Sequence, residues 1–296
     1  MLELPHGLRP GGRFAEWTAT PPRYLVADVD GTLLAESHVP TQAVLEAAAA
    51  CGPAGLRVGV ATGRMPHAVA DLIARLGAEG PHVVHNGAEV WADGAILEAW
   101  PLPPQARAVL RDLCAGHGLY AEFYAGDGYW VTDRRREAQR HWELLRRDPD
   151  GDAGALDLAR TEVLKATVIL FSGDDPAPVL ATLAEAGLTC GAAHAPALPE
   201  ATFLNVTHPE ADKGRALRAA ARHVGVGMEE VAAVGDGLND LSMLRVAGTA
   251  IAMGQAPAQV RAAAHLVVPE LADDGVAHAL RAAAAWCAPR VRWAGE

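Results

Sequence analysis

The chain has 296 residues, 50% hydrophobic and 21% charged, with 25 Lys and Arg against 36 Asp and Glu, a formal charge of −11. That composition excludes global disorder, and the length suits two domains of roughly 100–200 residues each. A net negative chain repels polyanions, which excludes sequence-independent binding to nucleic acid or to an anionic membrane face and leaves a small phosphorylated substrate only where a local cation offsets the field.

Residues 1–22 are punctuated by Gly and Pro and read as a poorly ordered lead-in. Tyr24-Leu25-Val26-Ala27-Asp28 is a continuous apolar run of the kind that forms a buried parallel strand, and it stops abruptly in Asp28-Val29-Asp30-Gly31-Thr32. Two carboxylates two apart on extended chain point to one side of the backbone, and they resist joint ionisation unless a cation sits between them or one pKa rises. Mg2+ suits such an oxygen-rich site; alone, the motif reads equally as a turn or cap.

Thr41 to Cys51 predicts a helix capped by Thr41 and stopped by Gly52-Pro53. Leu56 to Ala61 predicts a second strand, followed by Thr62-Gly63-Arg64 and a helix over Pro66 to Leu76 closed by Gly77. A hydroxyl and free backbone N–H groups at a helix start make an anion site, with simple N-capping as the plain alternative. His82 to His85 predicts a third strand running into Asn86-Gly87; its two histidines fall on opposite faces and cannot chelate zinc together. Strands alternating with helices imply right-handed crossovers, hence a doubly wound, Rossmann-like α/β core.

Between 88 and 207 the rhythm changes to that of an inserted α+β domain. A helix is expected over 104–116. Tyr120–Tyr124 and Tyr129–Thr132 flank Gly126-Asp127-Gly128 as a hairpin, Asp148 to Gly154 reads as a surface loop, and Lys165–Phe171 and Thr202–Thr207 read as strands around a helix over Asp175–Ala186. Arg134-Arg135-Arg136 and Arg146-Arg147 are the basic concentrations and read as solvated faces; Tyr124, Tyr129 and Trp130 suit pocket lining or core packing equally.

The βα rhythm then returns. Lys213 opens a helix to His223, and Glu230–Val234 is a strand running into Gly235-Asp236-Gly237-Leu238-Asn239-Asp240, a glycine-bracketed acidic loop fit for a tight turn or a hard cation. A helix from Asp240 to Val246, a strand over Thr249–Met253, a helix over Pro257–His265 and a helix start at Asp273-Asp274 follow, and the tail 282–296 carries little signal. Cys51, Cys114, Cys190 and Cys287 are widely spaced and read as reduced packing thiols. With no signal-peptide run and no stretch of about 20 apolar residues, the expectation is a cytoplasmic protein without a membrane span. Ser172 and Ser242 lack the context of a hydrolase nucleophile.

Polar residues thus gather at the carboxyl ends of four separate strands, where open parallel sheets bind ligands. In order, Asp28-Val29-Asp30-Gly31-Thr32-Leu33-Leu34, Ala61-Thr62-Gly63-Arg64, Asn86-Gly87-Ala88, Asp212-Lys213-Gly214 and Gly235-to-Asp240 resemble the haloacid dehalogenase-like phosphatases, most closely the Cof-type subgroup with a large α/β cap after the third strand. Ala252-Met253-Gly254-Gln255-Ala256 and Asp274-Gly275-Val276-Ala277 share the resemblance, with Gln255 where the subgroup commonly has Asn. The resemblance covers residues of about 24–90 and 205–280. It implies a catalytic core over 1–87 and 208–296 and a cap over 88–207.

By resemblance, Asp28 is the nucleophile and Asp30 the general acid/base. Thr62, Gly63, Lys213 and Asn239 hold phosphate, Arg64 and Asn86 line the pocket, and Asp240 supports from behind. Mg2+ is held by Asp28, the backbone carbonyl of Asp30, and Asp236. The implied activity is a Mg2+-dependent phosphatase acting on a small phosphorylated metabolite, a sugar phosphate first. The alternatives are a phosphotransferase or mutase on the same scaffold and a non-catalytic phosphometabolite-binding protein. Oligomeric state is not encoded legibly.

Overall fold

The computed structural model describes residues 4–35, 39–158, 160–188, 190–195 and 198–287. Over residues 4–22 the lead-in is largely irregular but tied to the rest of unit 1. Arg9–Pro10 (β1) pairs antiparallel with a strand near the C-terminus, Leu8 is buried, and the Trp17 indole donates to Thr249 Oγ1 at 3.1 Å. Glycines and prolines mask the segment because its hydrogen bonds go to distant backbone, such as Gly11 N–H to the His265 carbonyl at 2.8 Å.

The strands after it are Tyr24–Asp28 (β2), Arg57–Ala61 (β3), His82–Val84 (β4), Glu89–Ala92 (β5) and Ala95–Ala99 (β6). In the middle of the chain come Tyr120–Ala125 (β7), Gly128–Val131 (β8), Gly151–Asp152 (β9), Val163–Leu170 (β10), Cys190–Ala195 (β11) and Leu198–Thr207 (β12). The last are Val231–Gly235 (β13), Thr249–Ala252 (β14) and Leu266–Val267 (β15). The helices are Gln42–Ala49 (α1), Pro66–Leu76 (α2), Pro104–His117 (α3), Gln139–Leu145 (α4), Pro176–Glu185 (α5), Lys213–Val224 (α6), Leu241–Val246 (α7), Ala258–Ala263 (α8) and Gly275–Cys287 (α9).

Two units result. Unit 1 takes in Met1–Gly63, Val69–Leu97 and Asp212–Glu296; unit 2 takes in Arg64–Ala68 and Glu98–Ala211. The expected boundary at 88 is therefore displaced. β5 turns back antiparallel on β4 and β6 follows it at the sheet edge, so this stretch extends unit 1 before the chain leaves it.

The sheet of unit 1 runs β1-β15-β14-β13-β2-β3-β4-β5-β6, with β15 through β4 parallel. Strands buried on both faces explain the unbroken apolar runs. Leu25 and Ala27 of β2 face a cluster with Val44 and Ala47 of α1, Val69 and Leu72 of α2, and Leu280 of α9, while α6 packs against β4 and β5. Each such leucine or valine, removed from water, stabilises the fold by about 1.5–3 kcal/mol before chain entropy is counted. The chain starts at β2, walks outward to β3 and β4, and returns on the other side at β13. The order reverses between β2 and β13, where an α/β sheet opens a crevice.

Unit 2 is a separate sheet, β11-β12-β10-β7-β8-β9. Ala121, Phe123, Ala166 and Val168 pack beneath Leu110 of α3 and Val179 of α5. The opposite face of the sheet carries Tyr120, Tyr124, Tyr129 and Ile169, with Trp142 of α4. Tyr124 and Tyr129 stack at 5.6 Å and are buried, so they are packing residues, whereas Trp130 packs half-buried against the other cluster. Within the tyrosine face lies Glu122, fully buried. It accepts from the Tyr120 hydroxyl at 2.9 Å, from the Tyr124 hydroxyl and from His141 Nδ1 at 2.9 Å. Burial pushes this carboxyl up, but the His141 charge and these hydrogen bonds outweigh it and hold Glu122 below the usual glutamate range.

Candidate active site

β2 and β13 lie side by side, with Ala27 opposite Val234, so Asp28 and the Gly235-Asp236 step leave from neighbouring strand tips. Asp28 is 6% exposed. Its Oδ1 accepts from Lys213 Nζ at 2.5 Å, and the same ammonium donates to Asp240 Oδ1 at 2.6 Å.

Local sequence delivers the lysine there. Asp212 caps α6, its Oδ1 accepting from Gly214 N–H at 2.7 Å and Arg215 N–H at 2.9 Å. The loop after β4 presses against that cap at Gly87, where φ is +94° and any Cβ would overlap the Asp212 carbonyl. Lys213, first residue of the helix, is thereby aimed inward and 1% exposed, where a lysine opening a helix is ordinarily solvated.

Asp240 completes the loop after β13. Its Oδ2 accepts from the backbone N–H groups of Asp236 at 3.0 Å and Gly237 at 2.9 Å. Both its oxygens are thus occupied by donors, which makes it the holder of Lys213 and of the loop. Asp236 is fixed from the other side: Thr32 Oγ1 donates to its Oδ1 at 2.9 Å, and Gly31, at φ +87°, leaves no room for a Cβ beside its Oδ2.

Asp28, Asp236 and Asp240 each bring an oxygen within 4.8 Å of the others. Burial, then the charge of Asp240, lifts the Asp28 carboxyl well above the usual range against the pull of Lys213, with Asp236 adding to the rise. Burial lifts Asp236 to about 6, although Thr32 opposes it. Burial disfavours the Lys213 ammonium, but Asp240 and Asp28 overcome that and raise its pKa above the ordinary lysine value. Carboxyls packed so closely raise one another's proton affinity. Because Asp240 is taken up by donors, Asp28 and Asp236 are the side chains whose hard oxygens fit a divalent ion.

The remaining expected residues fall around this centre to differing degrees. β3 ends level with Asp28, and Thr62, the next residue, is fully buried. Its carbonyl accepts from Asn86 N–H at 2.9 Å, and Gly63 lies against the Asn86 side chain, where a Cβ would come within 2.8 Å of Oδ1. Asn86 itself has φ +57°, an uncommon left-handed conformation for a side chain other than glycine. Arg64 is half-buried at the start of the segment assigned to unit 2. Asp30 is exposed, bridged through its backbone to Leu34, and Asn239 is exposed with its amide oxygen over Gly237. Sequence reading missed Thr32 as a partner of Asp236, and it missed the reach of Gln255. The Gly-Thr pair behind the two aspartates was the available signal for the first.

The sequence profile described as haloacid dehalogenase-like hydrolase matches residues 25–280. An HMP-PP phosphatase of Cronobacter sakazakii (strain ATCC BAA-894) is 30% identical over 266 residues, spanning 86% of this chain and 92% of that protein. A pyridoxal phosphate phosphatase of Escherichia coli (strain K12) is 28% identical over 270 residues, 86% of this chain and 96% of its own length. Among solved structures, a subclass IIB sugar phosphatase superposes with a TM-score of 0.74 at 25% identity, covering 87% of this chain and 97% of the other.

Proposed function

The chain belongs to the Cof-type haloacid dehalogenase-like hydrolases, and from that premise we propose a Mg2+-dependent phosphatase that works through an aspartyl-phosphate on Asp28. The observation that carries the reading is the buried Asp28–Lys213–Asp240 chain beside Asp236 at the point where strand order reverses.

The steps follow from the residues. One Asp28 oxygen is held by Lys213; the carboxylate attacks phosphorus as the bond from phosphorus to the ester oxygen breaks. Asp30, two residues on and exposed, gives its proton to the departing alkoxide. Asp30 then takes a proton from water as that water attacks phosphorus, and the Asp28–phosphorus bond breaks to release phosphate and restore the carboxylate. Lys213 and the Thr62 hydroxyl stabilise charge on the phosphoryl oxygens. Gly63, Asn239, Arg64 and Asn86 orient the substrate. Asp28, Asp236 and the Asp30 carbonyl would hold a Mg2+ ion, which would supply the charge neutralisation for an anionic carboxylate to approach an anionic phosphate.

Unit 1 is assigned the chemistry and unit 2 the role of the inserted cap. The substrate is assigned to small phosphorylated metabolites, sugar phosphates first and pyridoxal phosphate next, on the strength of the phosphatases named above. Phosphate release from a panel of such esters tests this: activity with Mg2+, loss in EDTA and recovery on adding Mg2+ are expected. Full activity after exhaustive EDTA treatment would overturn the metal assignment, and no release from any ester would overturn the phosphatase.

A further inference from the structure

Gln255 follows β14 and is exposed, yet both ends of its side-chain amide are engaged. Nε2 donates to the Gly31 carbonyl at 2.7 Å, and Oε1 accepts from Leu271 N–H at 3.0 Å. Gly31 follows β2, two strands away from β14 across β13, and Leu271 lies beyond β15. The side chain thus joins segments that follow three strands of the sheet, β2, β14 and β15. An asparagine, one methylene shorter, would have to give up one partner.

The partner matters because of where Gly31 sits. It adjoins Asp30, and at φ +87° it is the most torsionally permissive link in the loop. The other hydrogen bonds near it are made inside the loop, from Gly31 N–H to the Leu34 carbonyl at 3.0 Å and from Leu34 N–H to the Val29 carbonyl at 2.8 Å. From residues 31 and 32, Thr32 reaches outward to Asp236 and Gly31 receives Gln255. The first anchors the side of the loop facing Asp236. The second fixes the Gly31–Thr32 peptide plane, the one after the plane that Asp30 shares with Gly31, whose N–H is held by the Leu34 carbonyl.

We propose that Gln255 is a positioning residue that, by pinning the Gly31 carbonyl from across the sheet, aims the Asp30 carboxyl at the leaving oxygen. The proposal rests on the acid/base role given to Asp30 above. It makes the loss of Gln255 a defect in proton delivery, and proton delivery matters for alkyl esters but little for an aryl ester whose leaving group departs as a stable anion.

The test compares an alkyl phosphate that the enzyme turns over with p-nitrophenyl phosphate. For Gln255→Ala, kcat on the alkyl ester should fall about tenfold or more while KM stays within about twofold. On p-nitrophenyl phosphate kcat should stay within about twofold. Gln255→Glu keeps the length and the acceptor for Leu271 but cannot donate to Gly31 when ionised, and should behave like the alanine variant. Hydrogen exchange at residues 31–34 should quicken in both variants with the thermal midpoint unchanged. Equal losses on both esters, recovery of the loss at raised Mg2+, or wild-type kcat on the alkyl ester would overturn the proposal. Asp30→Asn, measured alongside, should show the same dependence on the ester. If it does not, the assignment of Asp30 fails and the proposal falls with it; if it does while Gln255→Ala matches wild type, the proposal alone is wrong.

Discussion

Each unit buries a carboxylate in a polar cluster, and the two clusters are built on opposite terms. In unit 2, Glu122 is surrounded by donors: two tyrosine hydroxyls and a histidine. In unit 1, Asp28 shares one lysine with Asp240 and faces Asp236, so carboxyls outnumber the cation that holds them. Satisfied groups settle into a carboxylate of low proton affinity; crowded ones are driven the other way. Stability asks for the first arrangement, and the proposed chemistry of Asp28 asks for the second.

The sharpest way to break this contrast is to remove one charge from each cluster without changing shape. Asp28→Asn should abolish turnover, by about a thousandfold or more. Because it relieves crowding among like charges, its thermal midpoint should hold or rise. Glu122→Gln should do the reverse, keeping the chemistry and losing about 1–3 kcal/mol of stability as a charge-assisted acceptor is weakened. Denaturant unfolding beside steady-state kinetics reads both; a destabilised Asp28→Asn would dissolve the distinction. Removing the shared cation is the next largest effect. Lys213→Met should cost about 3–5 kcal/mol, since it strands two buried carboxyls.

A pH series sharpens the contrast at lower amplitude. His82 Nδ1 accepts from Val60 N–H at 3.3 Å, and burial holds its pKa down to about 4 against 6.5 when unfolded. The unfolded chain therefore binds the extra proton first, and the contribution of His82, read as the difference from a His82→Phe variant, should be full above pH 6.5 and fall by about 3 kcal/mol as pH drops to 4. Lys165 lies 4.1 Å over the Tyr124 ring, and burial lowers it to about 8 from 10.5. Again the unfolded chain holds more protons at this position, so the contribution of Lys165, read as the difference from a Lys165→Met variant, should grow as pH rises from about 8 to 10.5. Hydrogen exchange resolved by segment, followed across both intervals, separates the units; parallel responses would contradict the assignment.

Much of unit 1 was legible because buried parallel strands are local signals. The runs ending at Asp28, Ala61 and Val234 each announce a strand and the tip that follows it. What escaped has no local signature. β1 and β15 are two residues each and exist through pairing alone, β1 on β15 and β15 also on β14. β5 joins unit 1 by pairing with β4, and β6 by its place beside β5, which no periodicity records. β11 in unit 2 pairs with β12 along an Ala-rich stretch that shows no strand pattern. α4 hides in the Arg-rich stretch because its inward Trp142 is flanked by charges. Lys213 resembled any exposed lysine until tertiary contact placed it, and Gln255 looked like one added methylene until its two partners were seen.

The reversal of strand order has a consequence for how the protein comes into being. Lys213 and Asp28 are separated by 185 positions, and Asp236 and Asp240 emerge later still. A chain leaving the ribosome displays its aspartate tip early but holds no clamp until the final quarter is made. Unit 2, whose strands are contiguous in sequence, has every segment in hand before that moment. Hydrolysis should switch on only when the last strands dock, which makes catalysis itself a reporter of completed assembly.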